Sequence, residues 1–204
     1  MKTKQTIAII GATGRMGPAI AKSLAGGNYR LLLKADDAGR LASLLGEIRR
    51  SHPGAEVEIM TCPREASWEA DIIMVALPLQ AETEVVERIK EVVNQKIVVS
   101  ISDLPISDNS SHAMSPVSSA AEALQKILPH SKVVKVVDIT GGGDYISPLK
   151  YGLQVDYFIA GNEPEALEAV VELLRVAGYN TPIAANQTLG EDSTAWNPGL
   201  SNGK

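Results

Sequence analysis

No feature restricts the fold of this chain more than the alternation of short β-rich runs with helical patterns. The runs are "TIAII" (6–10), "RLLLK" (30–34), "EVEIM" (56–60), "DIIMVAL" (71–77), "KIVVSIS" (96–102), "KVVKVVDI" (132–139) and "VDYFIA" (155–160). Several are apolar at consecutive positions rather than at every second one, as in strands covered on both faces by helices. Between them, "AETEVVERIKEVV" (81–93) places Val85, Val86, Ile89, Val92 and Val93 on one helical face. "EPEALEAVVELLRVAG" (163–178) carries Asn162 as an expected cap, Pro164 in its first turn and Gly178 past its end. Strands alternating with helices predict an α/β fold, a doubly wound and mainly parallel sheet with right-handed crossovers.

At 204 residues the chain can bury a full core, and we expect one domain over 1–190 followed by a tail over 191–204 without helical periodicity. A formal net charge of −5 argues against nucleic-acid and anionic-membrane surfaces. The single cysteine, Cys62, fits a reducing cytoplasm. No apolar run approaches the ~20 residues that span a bilayer. Gly11 interrupts the first apolar run too early for a signal peptide.

The first strand run leads into "GATGRMGPAIAKSLAGG" (11–27), where Gly11, Gly14 and Gly17 recur at intervals of three. A strand–glycine loop–helix sequence of this kind suits a nucleotide pyrophosphate. Glycines keep bulk out of the turn, and the amides at the helix N-terminus face the phosphate. Asp36 follows Gly17 by 19 residues, near where an acidic residue meets an adenosine ribose. Asp36 favours NAD, since a carboxylate repels a 2′-phosphate, while Lys34 and Arg40 could offset that repulsion and admit NADP. Capping of the helix 38–50 by Asp36 or Asp37 is the competing reading. The strand ending at Leu77 adjoins the first across the switch point, so Leu77, Pro78 and Leu79 should border the cofactor.

Acid–base machinery is sparse. Tyr145 lies five residues before Lys150, so no Tyr-x-x-x-Lys pair is present. His52, His112 and His130 fall singly in polar, loop-like contexts, and the one cysteine argues against structural zinc. Hydride transfer between two redox cofactors fits such a chain, because the cofactors carry the chemistry. The polar stretch 103–119 and the glycine-rich stretch 139–152 read as loops at the ligand edge of the sheet. The second of these, with Asp138, Thr140, Gly141 and Gly142, is the candidate site for a second ligand. A flexible surface turn is the alternative reading of it.

The order of these motifs resembles the NADPH-dependent reductases of the deazaflavin coenzyme F-420, whose fold also forms the cytosolic domain of STEAP-type metalloreductases. "GATGRMG" is similar to that family's glycine loop, "VALPLQAETEVVERIKEVVNQKIVVSIS" to its next block, and "SSAAEALQKILPHSKVVKV" to its Ser-Ala-Ala-Glu helix and following strand. "VDYFIAGNEPEALEAVVELLRVAGY" resembles its closing strand and helix, so the likeness runs over residues 6–190. The resemblance implies a Rossmann-type domain that binds NAD or NADP, with Thr13, Gly14, Arg15 and Met16 at the pyrophosphate. It places residues 35–40 at the adenosine end, Arg40 near the 2′-phosphate, and Leu77 and Pro78 beside the nicotinamide. It also implies a second, redox-active ligand, coenzyme F-420 or a flavin. The family has Ser-Arg where this chain has Ala35-Asp36, and a His-containing turn where this chain has "VVDITGGGD" (136–144).

The expected activity is therefore that of an NAD(P)-dependent oxidoreductase acting on a small redox substrate. Two alternatives are a non-catalytic NAD(P)-binding sensor and a small-substrate dehydrogenase whose site is shared between subunits of a homodimer.

Overall fold

The computed structural model describes residues 4–103, 114–138, 157–179, 184–186 and 195–196. In chain order they form β1 (Gln5–Ile10), α1 (Gly17–Leu24), β2 (Tyr29–Lys34), α2 (Ala38–Ser51), β3 (Glu56–Ile59), α3 (Pro63–Glu69), β4 (Ile72–Val75) and α4 (Leu79–Ile89). There follow β5 (Ile97–Asp103), α5 (Met114–Ile127), β6 (Lys132–Asp138), β7 (Tyr157–Gly161), α6 (Pro164–Val176), β8 (Ala184–Asn186) and β9 (Ala195–Trp196).

The nine strands among the described residues join one sheet in the order β3-β2-β1-β4-β5-β6-β7-β8-β9. The first six positions are the doubly wound arrangement, parallel throughout. Direction reverses at β7, which runs antiparallel to β6 with Val136 opposite Ile159 and Asp138 opposite Tyr157. β8 is parallel to β7, and Ala195 and Trp196 pair antiparallel with it.

The apolar runs are continuous because both sheet faces are covered. On one face Ile7, Ile9, Leu31, Leu33, Val134 and Val136 pack under α1, α2 and α6, through Ile20, Leu24, Leu41, Ile48, Leu167 and Val170. On the other, Ala8, Ile10, Ile73, Val75, Val98 and Val133 pack under α3, α4 and α5, through Ala66, Val86, Ile89 and Leu124. Alternate residues of each strand therefore serve opposite layers.

Three expectations need correction. The stretch 103–119 is not wholly loop: Asp103 ends β5, and α5 starts at Met114. Pro116 lies in the first turn of α5, where its missing N–H costs little. Asn162 does not cap α6; the N-cap is Glu163, with no side-chain cap bond. Finally, α4 opens two residues earlier than its valine pattern suggests, with Pro78 at its N-cap, and ends at Ile89, so Val92 and Val93 lie past the helix. Gly178 does end α6 as expected, with φ +89° and its amide donating to the Arg175 carbonyl.

Candidate functional site

The first glycine loop sits at the switch point of the sheet, between the carboxyl ends of β1 and β4. Gly11 adopts φ +89°, and a Cβ there would collide with the Ala76 carbonyl and the Leu77 side chain. A Cβ on Gly17 would overlap the Gly11 carbonyl oxygen and the Ala12 backbone. Those two glycines therefore let the β1–α1 turn fold onto itself and against the β4–α4 turn. Gly14 differs. A Cβ there would lie 3.1 Å from the Gly11 oxygen and 3.3 Å from the Ala76 oxygen, tight but not prohibitive. Its amide is already engaged, donating to the Gly11 carbonyl at 2.9 Å.

The loop is anchored to the neighbouring strand. The amides of Gly11 and Ala12 both donate to the Lys34 carbonyl, at 2.9 and 3.0 Å. Beyond it α1 begins without a side-chain cap, and its first intrahelical bond runs from the Ile20 amide to the Met16 carbonyl. The amides ahead of Ile20 have no partner within the helix, which makes this end receptive to an anion. Thr13 is buried at the turn and Arg15 is exposed. The Met16 side chain packs into the core, so only its backbone faces the loop's outer side.

At the end of β2, Lys34 folds back to donate to the Asp36 carboxylate at 2.8 Å and to the Ala35 carbonyl at 3.0 Å. That hydrogen bond, with the ammonium's charge, holds the Asp36 carboxyl below its ordinary range although the group is fully exposed. Asp37, not Asp36, caps α2, accepting the Arg40 amide at 2.9 Å. Among the described residues the exposed Arg40 guanidinium has no acidic partner. Thr13, Pro18, Asp37, Gly39, Arg40 and Ser43 line one end of a groove of about 490 Å³ between α1 and α2. Its far end is bridged by Lys22 and Glu47.

On the other side of the switch point, Ala76 donates to the Ile10 carbonyl, and the chain turns through half-buried Leu77 and exposed Pro78 into α4. Leu79 is 63% exposed and so is not a core residue. The glycine loop and the Leu77–Pro78 turn thus border one crevice. Of the second-ligand candidates, Asp138 ends β6, its backbone paired between Asp103 and Tyr157. Thr140, Gly141 and Gly142 lie outside the described residues, as does His112.

One group of polar residues escaped the sequence reading. Lys135 and Glu82 are each only 1% exposed and lie 3.4 Å apart, and the Lys135 ammonium also donates to the Ser100 hydroxyl. Burial pushes the lysine below its ordinary range, and the Glu82 carboxylate opposes that shift. Signals for it were present. Lys135 interrupts an apolar strand run, and Glu82 shares helical spacing with buried Val86, Ile89 and Val93.

Comparison with known proteins resolves the family. Residues 6–103 match the model for NADP oxidoreductase, coenzyme F420-dependent. Over 174 residues the chain is 30% identical to the F420-dependent NADP reductase of Methanocaldococcus jannaschii, covering 82% of this chain and 77% of that protein. The chain belongs to this reductase family. As a member it is an oxidoreductase of the NADP-dependent class, built on a Rossmann-type α/β fold. Among solved structures it is similar to a candidate F420-dependent NADP reductase from Arthrobacter sp. FB24 (TM-score 0.64, 22% identity, 86% of this chain and 82% of that one). It is also similar to an imine reductase from Myxococcus stipitatus in complex with NADP⁺ (TM-score 0.61, 14% identity, 86% of this chain and 54% of that one). A pyrroline-5-carboxylate reductase from Coxiella burnetii shares the fold as well (TM-score 0.62, 14% identity, 87% and 58%). Among the described residues, no helix is long and apolar enough to cross a membrane.

Proposed function

We propose that this reductase transfers hydride between NADP(H) and a deazaflavin or flavin-like ligand held beside it at the crevice. The observation that carries the reading is that the glycine loop and the Leu77–Pro78 turn meet at the switch point, where a dinucleotide can lie across the sheet edge. The fit is favourable. The turn is cleared of side chains at Gly11, Gly14 and Gly17, and α1 presents an uncapped N-terminus to an anion. Thr13, Gly14 and the backbone of Arg15 and Met16 would hold the pyrophosphate, and Leu77 and Pro78 would flank the nicotinamide. When bound, the nicotinamide supplies a hydride from its C4, and a proton from solvent completes the acceptor's reduction. The protein's part would be to hold the two ligands side by side at the crevice.

The choice between NAD and NADP turns on Asp36. Its ion pair with Lys34 offsets part of the charge that would repel a 2′-phosphate. Arg40, at the groove end beside Thr13 and Ser43, would receive that phosphate. Family membership supports the same cofactor. We therefore assign NADP in preference to the NAD favoured by Asp36 taken alone.

Anaerobic mixing of the protein with NADPH and either coenzyme F-420 or FMN tests the reaction. Loss of the reduced-nicotinamide absorbance with one of these acceptors is the expected result. Tight NADPH binding without oxidation by either would overturn it in favour of a cofactor-sensing role. Parallel titration with NADH, repeated on Arg40→Ala, tests the cofactor: the substitution should erase a preference for NADPH while leaving NADH affinity unchanged.

A further inference from the structure

The sheet face beneath α4 carries a charged pair that the proposed chemistry does not use. Ser100 and Lys135 stand opposite each other in the β5–β6 ladder, in the same row as Val75 at the end of β4. The first turn of α4 lays Glu82 over that row. Its Oε2 contacts the Lys135 ammonium, and its Oε1 is buried with no hydrogen-bond partner among the described residues. Two charges this deeply buried are costly, and an apolar pair of similar volume would hold helix to sheet at least as well. Packing alone does not account for them.

Their connections do. The Glu82 amide donates to the Pro78 carbonyl at 2.9 Å, so the residue that meets Lys135 through its side chain holds the β4–α4 turn through its backbone. On the opposite side the same turn is held by the Ala76 amide on the Ile10 carbonyl. The turn is thus tied to β1 by backbone and to β5 and β6 by an ionic contact. An apolar contact at Glu82 would resist separation but not sliding or rotation of the helix end, because dispersion contacts have little directional preference. A carboxylate 3.4 Å from an ammonium that is itself held by Ser100 adds an attraction, strengthened by burial, that opposes displacement of the helix end from β6.

We propose that Lys135, through Glu82, is a positioning residue for the nicotinamide half of the dinucleotide site. It sets where the Leu77–Pro78 turn stands relative to the ends of β5 and β6. The adenosine half, with Asp37 and Arg40, is anchored to β2 through the glycine loop, which also rests against that turn, and so depends on the clamp less than the nicotinamide half does. This inference rests on the dinucleotide reading of the crevice given above.

The test compares the reduced dinucleotide that the wild type prefers with its adenosine fragment, adenosine 2′,5′-bisphosphate for NADPH or AMP for NADH. Affinities are measured by calorimetry for the wild type and for the double variant Lys135→Met/Glu82→Leu, which removes both charges and keeps the volume. The double variant should bind the fragment within about twofold of wild type and the dinucleotide about fivefold more weakly, a coupling of the size carried by packed networks. Its melting temperature reports the purely structural role, which does not separate the two ligands. The double variant Lys135→Met/Glu82→Gln, which leaves no charge and keeps the shape of the Glu82 side chain, gives the same comparison should the first double variant fold poorly. Equal changes for both ligands, or none for either, overturn the clamp alone. A wild type that binds neither ligand overturns the dinucleotide reading and the clamp with it.

Discussion

Along β1 and β2 the crevice is made of backbone, whereas across β4, β5 and β6 it rests on buried side-chain charge. In the first region two glycines allow the turn to close on itself, and amides of the loop pack against the Lys34 carbonyl. In the second, an ammonium and a carboxylate that are each almost fully buried fix the first turn of a helix. The difference matters for how each region fails. A backbone-built turn tolerates no Cβ where a carbonyl already stands, and the damage stays local. A charge-built contact, once half removed, leaves an unpaired ion in the interior.

The largest effect expected from breaking this contrast is that of Glu82→Leu, which strands the Lys135 ammonium. It should cost about 3–5 kcal/mol of stability, measured by urea unfolding near neutral pH. The pH dependence has a defined sign. Burial lowers the folded-state pKa of Lys135 below the ordinary value of 10.5, so between the two values the unfolded chain binds more protons and stability rises with pH. Without Glu82 the folded value falls further and the window opens at lower pH. The deficit of Glu82→Leu relative to wild type should therefore shrink as pH rises toward 10. A constant deficit would show that lost packing, not charge, dominates.

Next in size, Gly11→Ala should cost roughly 2–4 kcal/mol, from the left-handed backbone and the collision with Ala76, and its penalty should not vary with pH. Gly14→Val sharpens the comparison from the other direction. It adds bulk where the neighbouring oxygens leave limited room, and should weaken dinucleotide affinity at least about tenfold, some 1.4 kcal/mol, in a protein that still folds. Unchanged affinity in the folded variant would show that phosphate does not approach Gly14. The smallest effect is that of Asp37→Ala. Loss of the cap on the Arg40 amide should cost about 1 kcal/mol in thermal or urea unfolding.

The same contrast explains what could be read before the structure was known. Glycines at intervals of three after an apolar run are a local pattern, and strand alternation with helices is another, so the switch point and its two bordering turns were foreseeable. The contact between Glu82 and Lys135 joins residues 53 apart across a helix and a strand. Each looked unremarkable within its own segment, although Lys135 breaks an apolar run and Glu82 lies on a buried stripe. Asp36 shows a subtler limit. Its place after β2 suggested a carboxylate facing a ribose, but spacing does not reveal that the Lys34 side chain curls back onto it. Helix α3 was missed because seven residues carry too little periodicity, and Pro63 in its first turn was its clearest marker. Asn162 was a reasonable cap by residue type, yet the chain enters α6 one residue later.

The double anchoring of the Gly11 and Ala12 amides on one carbonyl, described above, bears on the entropy of ligand capture. A phosphate loop that must be ordered by its ligand spends part of the contact energy on freezing backbone. Here the loop is already tied to β2, whose last side chain holds Asp36 in turn, so the ends proposed for the pyrophosphate and the adenosine form one piece before any ligand arrives. Binding should therefore involve little ordering of this half. Its association rate should be set by encounter rather than by loop closure, and amide exchange at Gly11 and Ala12 should be slow with or without the dinucleotide.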